Sequence, residues 1–337
     1  MYFHRHRILL IGYWLFKIQS RLSQSLIKKL SLSLGVVLVL SLTSCCKNCL
    51  LSRAEISWSK TTETNKIHIT EIHDGDKYVE IASGNGGVLK KFTLDSVSTL
   101  IPQSNDTILK DAGTGKSVSV IKQESYKSND KNAVFIDSIL DNGLKFHKSY
   151  RMNLESGDLF ISRKIENGIA GSKTISLIQT LSVKSGGYLI IPLSIISRYP
   201  SRFITYDDSG KIEYNPVIKG SKIVNEKLIS PTKGENITLR SDASDGWFGY
   251  VLDDKMLLVK YSLQNCKRTD NPLIFTAKIT EDKIDFSFGE TNKPITIDNQ
   301  LESSERLVLV NLDEKAQSVQ DVETAMKYIK IPLILVR

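Results

Sequence analysis

Five residues in this chain are candidates for holding a polar ligand: Arg163, Gln179, Trp247, Tyr250 and Lys260. Trp247 and Tyr250 sit in the run Asp245-Gly-Trp-Phe-Gly-Tyr-Val-Leu-Asp-Asp-Lys-Met-Leu-Leu-Val-Lys-Tyr261. Their flat faces and polar tips suit stacking on the C–H surface of a sugar, although Trp247 could equally be a core aromatic. Arg163 and Lys260 can donate to hydroxyls, and Gln179 can donate and accept. Proton-transfer groups are scarcer. His68, His73 and His147 are the histidines beyond residue 60, and none has a partner at a recognised metal-ligand spacing. His147 and Glu290 are the two catalytic candidates. A Gly-x-Ser-x-Gly nucleophile elbow is absent. Gly113-Thr-Gly-Lys-Ser117 ends like a phosphate loop, but Lys110 stands where the first Gly belongs, so it reads as a hairpin tip. No metal site and no cofactor are expected.

The elements that would position these residues are strands. Val88–Leu94, Ala133–Leu140, Leu144–Met152, Leu159–Ile165, Thr174–Val183, Tyr188–Pro192, Trp247–Leu252, Met256–Tyr261, Ile274–Ile279, Lys283–Phe288 and Arg306–Leu312 show alternation or β-branched enrichment. Turn signals such as Asp141-Asn-Gly143 and Asn167-Gly168 separate them. The single helical candidate is Glu314–Ile329, with Ala316, Val319, Val322, Ala325, Met326 and Ile329 on one face. Strands without long intervening helices argue against a parallel βαβ architecture and for an all-β, antiparallel sandwich with one C-terminal helix. No Pro/Gly-rich linker divides residues 60–312, so the domains are expected as 61–312 for the sandwich and 313–337 for the helix and tail.

The charge is unevenly placed. The net charge of +8 includes six basic and no acidic residues in 1–44, which leaves 39 Lys+Arg against 37 Asp+Glu in the remainder. That near-neutral body gives no reason to expect a nucleic-acid partner. Lys28-Lys29 precedes the apolar run Leu30–Leu42, about 20 Å as a helix at ~1.5 Å per residue, too short to span a bilayer comfortably. It leads into Leu42-Thr-Ser-Cys45, which resembles a bacterial lipobox whose Cys45 thiol takes the lipid. The expected layout is a lipoprotein signal peptide at 1–44 and a tether at 45–60, with the mature chain held to the cell envelope through the membrane and facing the periplasm or surface. Cys46 and Cys49 fall in that tether, and C-C-x-x-C carries too few ligands for zinc.

A family resemblance emerges from the order of four motifs. They are Gly86-Gly-Val-Leu89, the hairpin containing Asn167, Gly186-Gly-Tyr-Leu-Ile-Ile-Pro192 and Gly246-Trp-Phe-Gly-Tyr250. Over roughly residues 65–312 the chain resembles the galactose mutarotase-like (aldose epimerase-like) superfamily, closest to a poorly characterised branch. The resemblance implies a β-supersandwich whose concave face binds carbohydrate. Active aldose epimerases place a histidine soon after the Asn-containing turn, as the acid at the ring oxygen, and use a carboxylate as base. Here the strand after Asn167 offers Gln179, which cannot exchange a proton near neutral pH. Glu290 could stand in for the base, and Val88 replaces the basic residue often found beside the Gly-Gly turn.

Two function classes follow. One is an envelope lipoprotein with a mutarotase-like carbohydrate-binding domain, lacking epimerase activity at the usual rate. The other is a non-enzymatic envelope scaffold that binds a protein partner. Convergence of Arg163, Gln179 and Lys260 beside an exposed aromatic favours the first; their dispersal over both faces, with Trp247 buried, favours the second.

Overall fold

Alternation of apolar and polar residues sets the phase of strands such as Leu159–Glu166 and Gln300–Asn311. A computed structural model describes residues 55–58, 69–95, 97–98, 100, 106–127, 132–168, 171–242, 246–264, 274–290 and 295–328. The strands begin with β1 (Glu55–Trp58), β2 (Ile69–Asp74), β3 (Lys77–Ala82), β4 (Val88–Leu94), β5 (Val97–Ser98), β6 (Thr107–Asp111), β7 (Val120–Lys127) and β8 (Ala133–Leu140). Next come β9 (Lys145–Met152), β10 (Leu159–Glu166), β11 (Lys173–Lys184), β12 (Tyr188–Pro192), β13 (Phe203–Tyr206), β14 (Ile212–Glu213), β15 (Lys222–Val224) and β16 (Lys227–Pro231). The series closes with β17 (Ile237–Ser241), β18 (Trp247–Leu252), β19 (Lys255–Gln264), β20 (Ile274–Ile279), β21 (Lys283–Glu290), β22 (Ile295–Ile297) and β23 (Gln300–Asn311). The helix α1 (Val319–Tyr328) follows β23.

Among the described residues these strands form three antiparallel sheets. A ten-stranded sheet runs β15-β16-β12-β18-β19-β23-β10-β9-β8-β7. An eight-stranded sheet runs β14-β13-β17-β20-β21-β11-β22, with β6 also paired to β11. The third is the five-stranded meander β1-β2-β3-β4-β5. A single buried cluster draws on all three, with Ile72, Val79 and Phe92 from the meander, Ile136, Tyr150 and Ile161 from the large sheet, and Leu181, Phe275 and Phe286 from the other. Phe248 of β18 reaches across to Phe275 and Phe286, with ring centroids 4.9 and 4.5 Å away, an aromatic contact that locks sheet to sheet. The architecture is the expected all-β sandwich with a C-terminal helix.

Two local expectations need correction. α1 starts at Val319, not at Glu314. The Ser318 hydroxyl accepts from the Asp321 N–H (3.2 Å), while the Asp321 carboxylate accepts from the N–H groups of Gln317 and Ser318 (2.9 Å each). This reciprocal cap fixes the first turn, and apolar periodicity extended upstream does not. Second, Glu55–Trp58 lies inside the span expected to be tether, yet pairs with β2 in register Glu55↔His73 to Trp58↔Thr70. The remaining tether and signal residues, with Cys45, Cys46 and Cys49, lie outside the described residues, as do His68 and Cys266.

Candidate functional site

Strand phase decides which side chains face inward. In β10 the residues Leu159, Ile161, Arg163 and Ile165 are buried and alternate with more exposed neighbours. Arg163 thus occupies a core position. Its register neighbours are Lys148 on β9 and Ser303 on β23, so all three share the inner face of the ten-stranded sheet. Two residues along, Tyr150, Ile161, Glu305 and Tyr261 form the adjacent row on that face. From the eight-stranded sheet, Thr107 of β6 and Gln179 of β11 lie side by side in register and point at this patch. Asp106, Lys148, Arg163, Gln179 and Glu305 are each 1–3% exposed.

The Asp106 half of the patch is saturated with hydrogen bonds. Oδ1 accepts from Lys148 Nζ and from Thr107 Oγ1 (3.0 Å); Oδ2 accepts from the Leu89 N–H (3.0 Å) and the Tyr150 hydroxyl (2.9 Å). Lys148 Nζ also donates to Gly87 O (2.8 Å) and Thr107 Oγ1 (3.3 Å), which uses its three protons. Gly87 has φ 84°, and a Cβ there would stand 2.3 Å from Ile136 Cδ1, so only glycine delivers this carbonyl to the lysine. Burial disfavours the Asp106 carboxylate, but the Lys148 and Arg163 charges and the converging donors outweigh it and hold its pKa at about 2. Burial brings Lys148 down to about 8 against the pull of Asp106. Burial also pushes the Tyr150 hydroxyl well above its ordinary value.

The Arg163 half is different. Nε donates to Thr107 Oγ1 (2.8 Å) and Nη1 to Glu305 Oε1, which leaves Nη2 buried without a partner. Burial opposes the Arg163 charge, yet Glu305 and Asp106 raise its pKa overall; burial raises that of Glu305 despite Arg163. Three more buried polar atoms around it lack partners: Ser303 Oγ directly opposite Arg163, Tyr261 Oη in the adjacent row, and Gln179 Oε1 on the facing sheet. The Tyr261 ring packs on Phe288, 5.0 Å between centroids, and Phe288 is the register partner of Gln179. A buried donor or acceptor left unpaired costs roughly 1–3 kcal/mol, so these four atoms set the Arg163 half apart from the saturated Asp106 half.

Of the five ligand-binding candidates, the structure brings together Arg163 and Gln179. The others are corrected. Trp247 and Tyr250 point to opposite faces of β18, and they are 4% and 0% exposed. Trp247 packs with Ile190, Val251, Leu258 and Val322 beneath α1, so it has no free face for a sugar. Tyr250 belongs to the main core, where its hydroxyl donates to Lys184 O (2.6 Å) and accepts from the Gly187 N–H (2.9 Å). It closes a turn. Lys260 is the register partner of Trp247, on the outer face and away from Arg163. His147 is also on the outer face, where Nδ1 meets Asp137 Oδ1 at 2.7 Å and Nε2 lies 3.4 Å from Glu166. Glu290 ends β21 with its backbone paired to Ile274, and its side chain is outside the described set. Gly113–Ser117 is an exposed turn in which Thr114 donates twice to Asp111, and no helix follows it.

Sequence reasoning missed Lys148, Asp106, Glu305, Ser303 and Tyr261. A signal was present: Phe146, Lys148, Tyr150, Met152 in β9 and Leu301, Ser303, Glu305, Leu307, Leu309 in β23 place polar residues in the apolar phase of a strand. Natural sequences seldom do this without a partner or a purpose.

Comparison with known proteins supplies a fold and no closer kinship. No family model matches the chain, and no curated protein matches it. Among solved structures, a candidate aldose 1-epimerase from Escherichia coli K12 superposes with a TM-score of 0.52 at 9% identity, over 73% of this chain and 100% of that one. The Slr1438 protein from Synechocystis sp. PCC 6803 gives 0.51 at 12% identity, over 72% and 96%. A TPR-domain containing protein from Parabacteroides distasonis gives 0.52 at 7% identity, over 85% of this chain and 56% of that one. At these identities what is shared is the fold, an antiparallel β-sandwich.

Proposed function

We propose that this chain is a carbohydrate-binding protein of the mutarotase-like kind, held to the bacterial envelope through a lipid on Cys45, and that it does not epimerise free sugars at the usual rate. The observation that carries the binding proposal is the set of unpartnered buried atoms around Arg163 Nη2 on the inner face of the sandwich. Sugar hydroxyls both donate and accept, so they can complete Arg163, Gln179, Ser303 and Tyr261 together. The fold shared with a candidate aldose epimerase supports a sugar as the guest.

The absence of fast mutarotation rests on the missing acid. Gln179 has no proton to exchange near neutrality, and His147 lies on the other face of the sheet. A glycan array on the purified protein, followed by polarimetry on α-glucose and α-galactose, tests both parts. Binding without protein-dependent equilibration is expected; rapid equilibration would overturn the catalytic part. Mass spectrometry of the amino-terminal peptide tests the anchor, which is refuted by an unmodified Cys45 in the membrane fraction.

The competing reading, an envelope scaffold for a protein partner, draws on the exposed apolar side chains Ile195, Ile196 and Val217, at 84, 92 and 96% exposure. An array with no glycan bound would favour it.

A further inference from the structure

Among the described residues nine large apolar side chains stand exposed, and six of them fall between residues 195 and 223: Ile195, Ile196, Ile212, Tyr214, Val217 and Ile223. We infer that the Ile195-Ile196 loop and the neighbouring Val217 loop form a second membrane contact, which seats the domain on an anionic phospholipid surface and fixes the way it faces. This contact is additional to the lipid on Cys45 and rests on that reading only for a bilayer within reach.

Three observations carry it. The first is that the apolar tips are displayed on a held backbone. Ile195, Ile196 and Val217 are 84, 92 and 96% exposed. Beneath them Asp242, itself buried, accepts from the Ser197 hydroxyl (2.6 Å) and the Arg198 N–H (2.7 Å), and the Ser194 hydroxyl donates to Ile196 O (2.9 Å). Leu193 and Ile218 root the two loops in the main buried cluster, and the Ser201 hydroxyl joins them by donating to Asn215 Oδ1 (2.9 Å). Exposed apolar groups on a fixed backbone call for a partner that takes them out of water.

The second is charge. Residues 195–205 and 214–223 include Arg198, Arg202, Lys219 and Lys222 and no acidic residue. Arg202 pairs with Glu226 and Lys222 with Glu323. Arg198 lies 3.6 Å from Asp242 and is still 44% exposed, and Lys219 is exposed two residues from Val217. Apolar tips bracketed by cations match the layering of an anionic bilayer, phosphates outside acyl chains. A protein partner would call for a patch richer in aromatics and poorer in lysine.

The third is reach. With Cys45 lipidated, ten residues separate the anchor from Glu55, where β1 begins, and extended chain of that length spans at most ~35 Å. A body held that near meets the bilayer at high effective concentration, so a few apolar tips suffice.

The test uses the full-length chain reconstituted into phosphatidylcholine vesicles with and without phosphatidylglycerol, made with ordinary or brominated acyl chains. Ile196→Trp places a fluorescent reporter at the loop tip. Ile121→Trp places one on β7, at the opposite edge of the ten-stranded sheet, where Ile121 is exposed. Neither position is packed, so both variants should keep the fold. Brominated chains are expected to quench the emission added by Ile196→Trp about twofold when phosphatidylglycerol is present, and far less without it. The emission added by Ile121→Trp should not change, and Ile195→Asp combined with Ile196→Trp should abolish the quenching. An unquenched Ile196→Trp reporter on both vesicles overturns the inference, as does quenching that ignores phosphatidylglycerol or falls equally on Ile121→Trp. Shielding of the reporter in native envelopes but not on vesicles overturns it too, because the occupant is then a protein. The anchor is judged separately by the mass of the amino-terminal peptide, so its failure is distinguishable from failure of the loop contact.

Discussion

The two halves of the buried polar patch are built from the same kinds of residue and do opposite things. Around Asp106 every acceptor site and every Lys148 proton is used, and glycine at 87 is required to complete the set. Around Arg163 the same sheet face leaves Nη2, Ser303 Oγ, Tyr261 Oη and Gln179 Oε1 without partners. A saturated network behaves as a lock that fixes how the meander, through Gly87 and Leu89, sits on the sandwich. An unsaturated one sacrifices stability, and such a sacrifice is typical of a place kept for a ligand. The halves should therefore separate when they are mutated: one should report on stability, the other on binding.

The largest effect is expected from Asp106→Ala. It leaves Lys148 as an unpaired buried cation, and removing one partner of such a pair costs roughly 3–5 kcal/mol. Urea denaturation should show the loss as a lower midpoint at unchanged slope. A change below about 1 kcal/mol would mean that the lock is not one.

Next is the pH dependence of the same half. Asp106 is held at about 2 against an ordinary 3.8, so its contribution is complete above pH 3.8 and is lost as pH falls from 3.8 towards 2. The loss is on the order of 2 kcal/mol, and Asp106→Asn should lack this acid step. Lys148 works with the opposite sign. Its pKa is depressed from 10.5 to about 8, so the penalty of burying its charge persists below pH 8 and is relieved as pH rises from 8 to 10.5. Over that window the native protein should gain stability relative to Lys148→Met.

On the Arg163 side the stability effects are expected to be small. Gln179→Met removes an acceptor that has no partner, and the unfolding free energy should stay within about 1 kcal/mol of the native protein's. Sugar affinity should fall about tenfold, the cost of one lost hydrogen bond near 1.4 kcal/mol. Tyr261→Phe is the mildest change: the ring keeps its packing on Phe288 and loses only an unpartnered hydroxyl, with stability unchanged or slightly raised. A marked destabilisation by either variant would show that these atoms do have partners and that the two halves are alike.

The fold was legible in the sequence because strands bounded by turn chemistry keep their phase. Val88–Leu94, Ala133–Leu140, Tyr188–Pro192 and Trp247–Leu252 stand where alternation and turn residues place them. The short strands β13 to β16 escaped, since two to five residues at a sheet edge carry too little periodicity to register. The site was legible only in part. Arg163 and Gln179 stand out in the sequence as polar residues within strands, whereas the aromatic type of Trp247 and Tyr250 says nothing of strand phase. Trp247 and Tyr250 are three residues apart, and an odd spacing on a strand sends two side chains to opposite faces. Lys148 and Glu305 sit in phase with leucines and phenylalanines, where a charge needs an explanation. Asp106 could not be anticipated, because it stands just ahead of a strand that the sequence reading did not include and its role depends on two strands far along the chain.

The most direct test of the division between lock and site is glycan binding by the double variant Arg163→Met/Glu305→Leu. Replacing a buried ion pair with apolar residues of similar size is often neutral or stabilising by about 1–4 kcal/mol, so this protein should fold at least as well as the native one. The account predicts a normal or raised unfolding midpoint together with loss of the glycan-array signal. A folded double variant that binds the same glycans with unchanged affinity would contradict it, because the Arg163 half would then be no more than a second structural ion pair.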